Sequence, residues 1–255
     1  MSDHLVLTRA DGVLEIRLNR PEKKNALTRE MYQGMAAAFD ASNDDPSVRV
    51  IILTGTGDTF TSGNDMKDFQ ARANGVGQGS GGQFLPSLAG LKKPMIGAVN
   101  GAAIGVGTTM LLHCDLILAA SHASFRMPFT SLGLVPEAGS SMLVPQAIGM
   151  RRANAMLLLG DGIDAATALA WGLINQVVEP AELIDTAWTL ARRLAALPPE
   201  AVRQTKALIQ NGRPDLPGRM EQELDVLDGR FATPEAKEAF SAFIEKRRPD
   251  FSKFY

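Results

Sequence analysis

Cysteine, net charge and long unbroken apolar runs are all scarce in this 255-residue chain, and each scarcity removes a class of function. The one cysteine, Cys114, excludes an internal disulfide and fits a reducing compartment. It reads as buried core and not as a nucleophile: its neighbour His113 does not face it on a helix, and no histidine–carboxylate arrangement is evident around it. A formal net charge of -2 gives no electrostatic case for nucleic acid, although dispersed Lys and Arg can still meet a small anion. The most apolar stretch, Lys93 to Ala120, is broken by Asn100, Thr108, Thr109, His113 and Asp115, so no membrane partner is expected. The start MSDHLVLTRADG has no basic segment followed by a long apolar run; it reads as mature protein, and the expected location is cytoplasmic. No motif suggests a metal, a flavin or a nicotinamide.

What is present is an ordinary globular composition, 45% hydrophobic and 21% charged, in a chain long enough to bury one large core. The stretch Lys93 to Ala120 organises it. MIGAV predicts a strand, Gly101, Gly105 and Gly107 permit turns and close backbone approach, and an apolar segment predicts a buried helix before the strand CDLILAA. Main-chain N–H groups at the start of that helix, near Val106, can face a ligand and stabilise negative charge. The same glycines also serve a junction that needs only close packing. A second turn of this kind, GTGDTFTSGND, follows the short β-branched strand Val48 to Thr54, which is apolar enough to be buried on both faces. Turns after parallel strands gather at one side of a sheet, so the two sets of amides can converge.

Around these turns the pattern is strand then helix, repeated, which makes the chain α/β. Leu5 to Thr8 and Val13 to Asn19 predict a hairpin through Asp11-Gly12, with Glu15, Arg17 and Asn19 on its open face. Thr28 is the expected N-cap of a helix whose apolar stripe is Met31, Met35 and Phe39. Residues 71 to 90 are glycine-rich with few periodic apolar positions, and predict a mobile loop, or a helix ordered only when occupied, over a ligand groove; the plain alternative is a surface loop without function. Glu137 follows Pro136 on a turn between apolar runs; it is either a first-turn helix carboxylate or a general base whose pKa is raised by an apolar pocket. Past Pro198-Pro199 the strand-like runs stop, which divides the chain into 1–198 and a helical region 199–255 that packs on its own core or on a neighbouring subunit. Ala239, Phe240 and Phe243 are expected on the buried face of its last helix.

In order and spacing, RLNRPEKKNALT at 17–28, FTSGNDMKDF at 60–69, KPMIGAVNGAAIGVG at 93–107, CDLILAA at 114–120 and LGLVPEAGSSMLVPQAIG at 132–149 resemble the enoyl-CoA hydratase/isomerase, or crotonase, family over essentially the entire chain. The resemblance implies an α/β fold, a crotonase-like spiral of ββα units with two roughly perpendicular sheets, followed by C-terminal helices that build a homotrimer or a dimer of trimers. It implies an acyl-CoA thioester as substrate, with coenzyme A part of the substrate and no separate cofactor. The thioester oxygen would sit between the backbone N–H groups of Asn64 and Val106.

Hydratases of the family carry two glutamates where this chain has Thr109 and Phe129, and adding water needs a group to activate it and a proton source. Glu137 in MPFTSLGLVPEAGSS resembles the single acid/base of the peroxisomal type of Δ3,Δ2-enoyl-CoA isomerase. The expected reaction is therefore transfer of a proton from C2 to C4 of a 3-enoyl-CoA in a dry pocket. The alternatives are another reaction of the family (hydratase, lyase or thioester hydrolase) or a non-catalytic acyl-CoA-binding protein. By the same resemblance Arg20, Lys24 and Lys246, with Ser62, Asp65 and Met66, are candidates to contact coenzyme A. Met66, Phe69, Phe84 and Leu85, with Gly105, Thr109, Phe129 and Leu134, are candidates to line the acyl pocket.

Overall fold

A computed structural model describes residues 3–66, 82–211 and 215–254. Among the described residues ten strands form two sheets. The larger has the order β1-β2-β3-β5-β7-β10, from Leu5–Ala10, Val13–Leu18, Val50–Gly55, Met95–Val99, Leu116–Ala120 and Gln176–Val178. The smaller has the order β4-β6-β8-β9, from Thr59–Thr61, Ala102–Ile104, Ser124–Arg126 and Ile163–Asp164. Among these ten strands the hairpin β1–β2 and the pair β8–β9 are antiparallel and the remaining described pairs are parallel. The chain alternates between the two sheets, with helices between and after them. This is the crotonase-like α/β spiral followed by C-terminal helices at Pro199–Asn211, Leu216–Phe231 and Pro234–Ile244.

The central strands β3, β5 and β7 of the larger sheet are buried on both faces because both are covered. On one side Val13, Val50, Ile52, Ile96, Ala98, Leu118 and Val178 meet Leu183, Ala187, Ala191 and Ala195 of the helix Leu183–Ala195. On the other, Leu14, Ile16, Leu18, Ile51, Leu53 and Val99 join the main core, which includes Met31, Met35 and Phe39 of the helix Arg29–Asp44. Each such Leu or Ile, taken from water, contributes about 1.5–3 kcal/mol before conformational entropy is charged against it. Thr28 caps that helix, its hydroxyl accepting from Met31 N at 3.4 Å. The last two of the C-terminal helices share the same core: Met220, Leu227, Phe231, Ala236 and Phe240 are buried in it.

Three expectations need correction, and a fourth, for residues 71–90, is narrowed. The segment after MIGAV does not pass straight into a helix. Asn100-Gly101 turns it into the three-residue strand β6, which moves the chain to the smaller sheet. Gly101 is required there, since a Cβ would collide with the Asp58 carbonyl oxygen. Glu15 is 5% exposed and not on an open face, because the helix Leu183–Ala195 lies over it. Its carboxylate accepts from Trp188 Nε1 at 2.7 Å and Arg17 Nε at 2.8 Å, which satisfies a buried charge. Within the 71–90 stretch, Phe84–Ala89 is a helix with Phe84, Leu85 and Leu88 buried; the rest of the proposed loop, to residue 81, lies outside the described residues. Phe243 is 58% exposed, while Ala239 and Phe240 are buried as expected.

Candidate active site

The two glycine turns meet because β4 and β6 are neighbouring parallel strands, paired at Thr59–Ala102 and Thr61–Ala103. The chain leaves β4 through Ser62-Gly63-Asn64 and leaves β6 through Gly105-Val106, so both turns lie at the same sheet edge. Their backbones touch. A Cβ on Gly63, at φ +90°, would lie 2.8 Å from Ile104 O, and one on Gly107 would lie 2.5 Å from Thr61 Cγ2. Gly105, at φ +59°, is different: a Cβ there would meet no described atom within 4 Å, so the space before this turn is open.

Each turn is fixed from behind. Leu27 N donates to Gly63 O at 2.8 Å, Asp65 N to Leu27 O at 3.0 Å, and Ser62 N to Lys24 O at 2.9 Å. Tyr32 OH donates to Asn64 Oδ1 at 2.6 Å, and Phe84 packs edge-on against the Tyr32 ring, centroids 5.0 Å apart. In the second turn Val106 opens the short helix Val106–Thr109, where an α-helix offers its first N–H groups no internal acceptor. Thr108 Oγ1 anchors that helix on Ala103 O at 2.6 Å.

One turn along from Val106, Thr109 Oγ1 donates to Glu137 Oε1 at 2.5 Å. Glu137 is buried, and it precedes the helix Ser140–Ile148 instead of lying in its first turn. Ala138 and Gly139, at φ +60° and +72°, reverse the chain sharply after it. His113 Nε2 donates to Ala138 O at 2.8 Å, and Ser140 Oγ donates to Glu137 O at 2.6 Å. Burial raises the Glu137 carboxyl from 4.5 to about 7; the Thr109 hydrogen bond opposes that rise and the Glu223 charge adds to it. A carboxyl poised near neutrality can accept a proton from a carbon acid and give it back without a second acid.

The other predicted residues are placed as follows. Arg20 Nη1 is engaged with Asp65 Oδ2 at 2.6 Å and Ala26 O at 3.2 Å, so its guanidinium braces the first turn. Lys24 and Lys246 are exposed, at φ +51° and +54°. Ser62, Asp65 and Met66 are half-buried at the first turn, and Met66 packs on the core. Phe84, Leu85, Phe129 and Leu134 are buried in the main core. Phe69 lies outside the described residues. Sequence reasoning missed three contributors: Tyr32, His113 as an anchor, and Glu223, whose carboxylate accepts from Gly139 N and Ser141 N. Tyr32 alone left a signal, since a buried tyrosine seeks a partner for its hydroxyl. No group of three or more potential metal ligands occurs among the described residues, and no helix among them is long and apolar enough to cross a membrane.

Comparison with known proteins places this arrangement. The chain is 37% identical over 251 residues to 1,2-epoxyphenylacetyl-CoA isomerase of Escherichia coli K12, covering 94% of this chain and 95% of that one. It is 34% identical over 257 residues to crotonyl-CoA hydratase of Syntrophomonas wolfei, covering 98% of each. The crystal structure of an enoyl-CoA hydratase/isomerase from Pseudoalteromonas atlantica superposes with a TM-score of 0.93 at 43% identity, over 98% of this chain and 100% of that one. The family model for enoyl-CoA hydratase/isomerase matches residues 8–253, and the chain belongs to that family.

Proposed function

We propose that this protein is an enoyl-CoA isomerase that moves the double bond of a 3-enoyl-CoA into conjugation with the thioester, with Glu137 as its single acid and base. The observation that carries the proposal is the Thr109–Glu137 hydrogen bond. It ties a buried carboxyl to the helix that opens at Val106, where the sequence of a hydratase would place one of its own glutamates. The Glu137 carboxylate takes a proton from C2, and the electron pair passes into a dienolate whose charge lies on the thioester oxygen. The N–H groups of Asn64 and Val106 donate to that oxygen. Preorganised donors of this kind are worth about 3–4 kcal/mol each in acyl-transfer enzymes. The protonated Glu137 then returns the proton at C4, leaving the 2-enoyl-CoA and the original carboxylate. Phe129, in place of a second carboxylate, supplies neither a base for water nor a proton.

A second reading is hydration or another acyl-CoA reaction of the family. The hydratase name among the relatives favours it, and so does a carboxyl able to activate water as well as carbon. Product analysis separates the two. Purified protein given 3-enoyl-CoA and, separately, 2-enoyl-CoA yields interconversion of the two if it is an isomerase. Net formation of 3-hydroxyacyl-CoA from the 2-enoyl substrate at a comparable rate overturns the proposal. Tight binding of coenzyme A esters with no turnover of either identifies an acyl-CoA-binding protein.

A further inference from the structure

We infer that Glu223, on the C-terminal helix Leu216–Phe231, is a positioning residue for Glu137: its two carboxylate oxygens hold the turn that aims the base. The inference rests on the reading of Glu137 as the base. Glu223 Oε2 accepts from Gly139 N at 2.6 Å and Oε1 accepts from Ser141 N at 2.8 Å. These N–H groups open the helix Ser140–Ile148, whose N-cap is Gly139. A glycine cap has no side chain with which to satisfy them, and a buried orphan N–H is costly. The glycine itself is fixed by its left-handed φ of +72° and by Leu216, which a Cβ at this position would strike. The cap is therefore supplied from 84 residues away, by an anion at the positive end of a helix.

The consequence reaches Glu137 through two residues. Ala138 sits at φ +60°, a strained conformation for a side chain with a Cβ, and is held on one side by His113 and on the other by the clamped Gly139. With the turn pinned at both ends, Glu137 has little freedom to leave the Thr109 hydroxyl. The clamp is also a negative charge close to the base, and it favours the protonated carboxyl. Among the described residues, Glu223 acts on Glu137 by its charge, His113 from the turn Met110–His113 holds the neighbouring Ala138 carbonyl, and Arg219, one helical turn before Glu223, offsets part of the Glu223 charge.

Two variants separate the clamp from the charge, measured with full-length protein and a 3-enoyl-CoA. Glu223→Gln keeps the size, loses the charge and can accept from only one of the two amides. It should lower kcat by about 10- to 100-fold with KM within about threefold, the scale of loss from a misplaced reacting group. The acid-side inflection of its kcat profile should move to lower pH. Glu223→Asp keeps the charge but falls one methylene short; it should lower kcat while leaving the inflection nearer the wild-type value. Wild-type kcat and inflection in Glu223→Gln overturn the inference. Amide hydrogen exchange on the wild-type protein tests the clamp without any variant: Gly139 and Ser141 should be protected, and exchange at the rate of an open loop overturns it. Glu137→Gln run alongside keeps the two readings apart. A dead Glu137→Gln beside an unaltered Glu223→Gln overturns this inference alone, whereas a fully active Glu137→Gln overturns the base assignment itself.

Discussion

Replacing Glu137 by glutamine should stabilise the protein at alkaline pH while abolishing turnover. A carboxyl raised from 4.5 to about 7 is one whose charged form the fold disfavours. The native state then binds more protons than the unfolded chain between those two values, so stability is fully present below about pH 4.5 and is lost as pH rises to about 7. At roughly 1.4 kcal/mol per pKa unit the loss is about 3 kcal/mol at pH 8 and less than about 1 kcal/mol at pH 5. Glutamine carries no charge and does not suffer this loss. Contacts that the amide changes at both pH values cancel in the difference. Urea unfolding of both proteins at one fixed concentration should therefore give a variant-minus-wild-type stability that is about 2–3 kcal/mol more favourable at pH 8 than at pH 5. A stability difference independent of pH would refute the buried, neutral-favouring environment argued for Glu137.

Four further substitutions address the partner of that carboxyl and the glycine turns. Thr109→Val removes the hydroxyl that favours the charged form; the acid-side inflection of kcat should rise above about 7 and kcat at neutral pH should fall about tenfold, read from a pH–rate profile. Tyr32→Phe removes the donor to Asn64 Oδ1 and should cost about 0.5–1.5 kcal/mol in urea unfolding, with a lower kcat from a less fixed first turn. Gly105→Ala should cost only its backbone strain, on the order of 1–3 kcal/mol, because no described atom stands where the methyl would go. Gly101→Ala, directed at the Asp58 carbonyl, should not yield folded protein; circular dichroism and thermal melts distinguish the two.

The parts legible in the sequence were those set by local chemistry. Thr28 before a Met31, Met35, Phe39 stripe marks a capped helix, and the β-branched, mostly apolar Val48 to Thr54 marks a strand covered on both faces, which runs over Val50–Gly55. The glycine spacing located both turns, because close backbone packing leaves no alternative residue at Gly63 or Gly107. What escaped was set by distant partners. Glu15 looks solvent-facing until the helix around Trp188 covers it, 173 residues later. β6 is too short for any periodicity, and exists because Gly101 lets the chain cross to the smaller sheet beside β4. The absence of a glutamate at 109 was visible, but its consequence was not: the threonine there reaches Glu137 and becomes a hydrogen-bond donor to its carboxyl. Glu223 gave no local signal, since its partners are backbone amides in another helix.

Proton transfer between C2 and C4 tests the assignment of Glu137 most directly. A 3-enoyl-CoA deuterated at C2 is incubated with wild-type protein and with Glu137→Gln, and formation of the conjugated thioester and the label at C4 are followed together. Wild-type protein should form 2-enoyl-CoA with part of the label delivered to C4, and Glu137→Gln should form none above background. Conversion by Glu137→Gln at the wild-type rate would contradict the single-carboxylate mechanism.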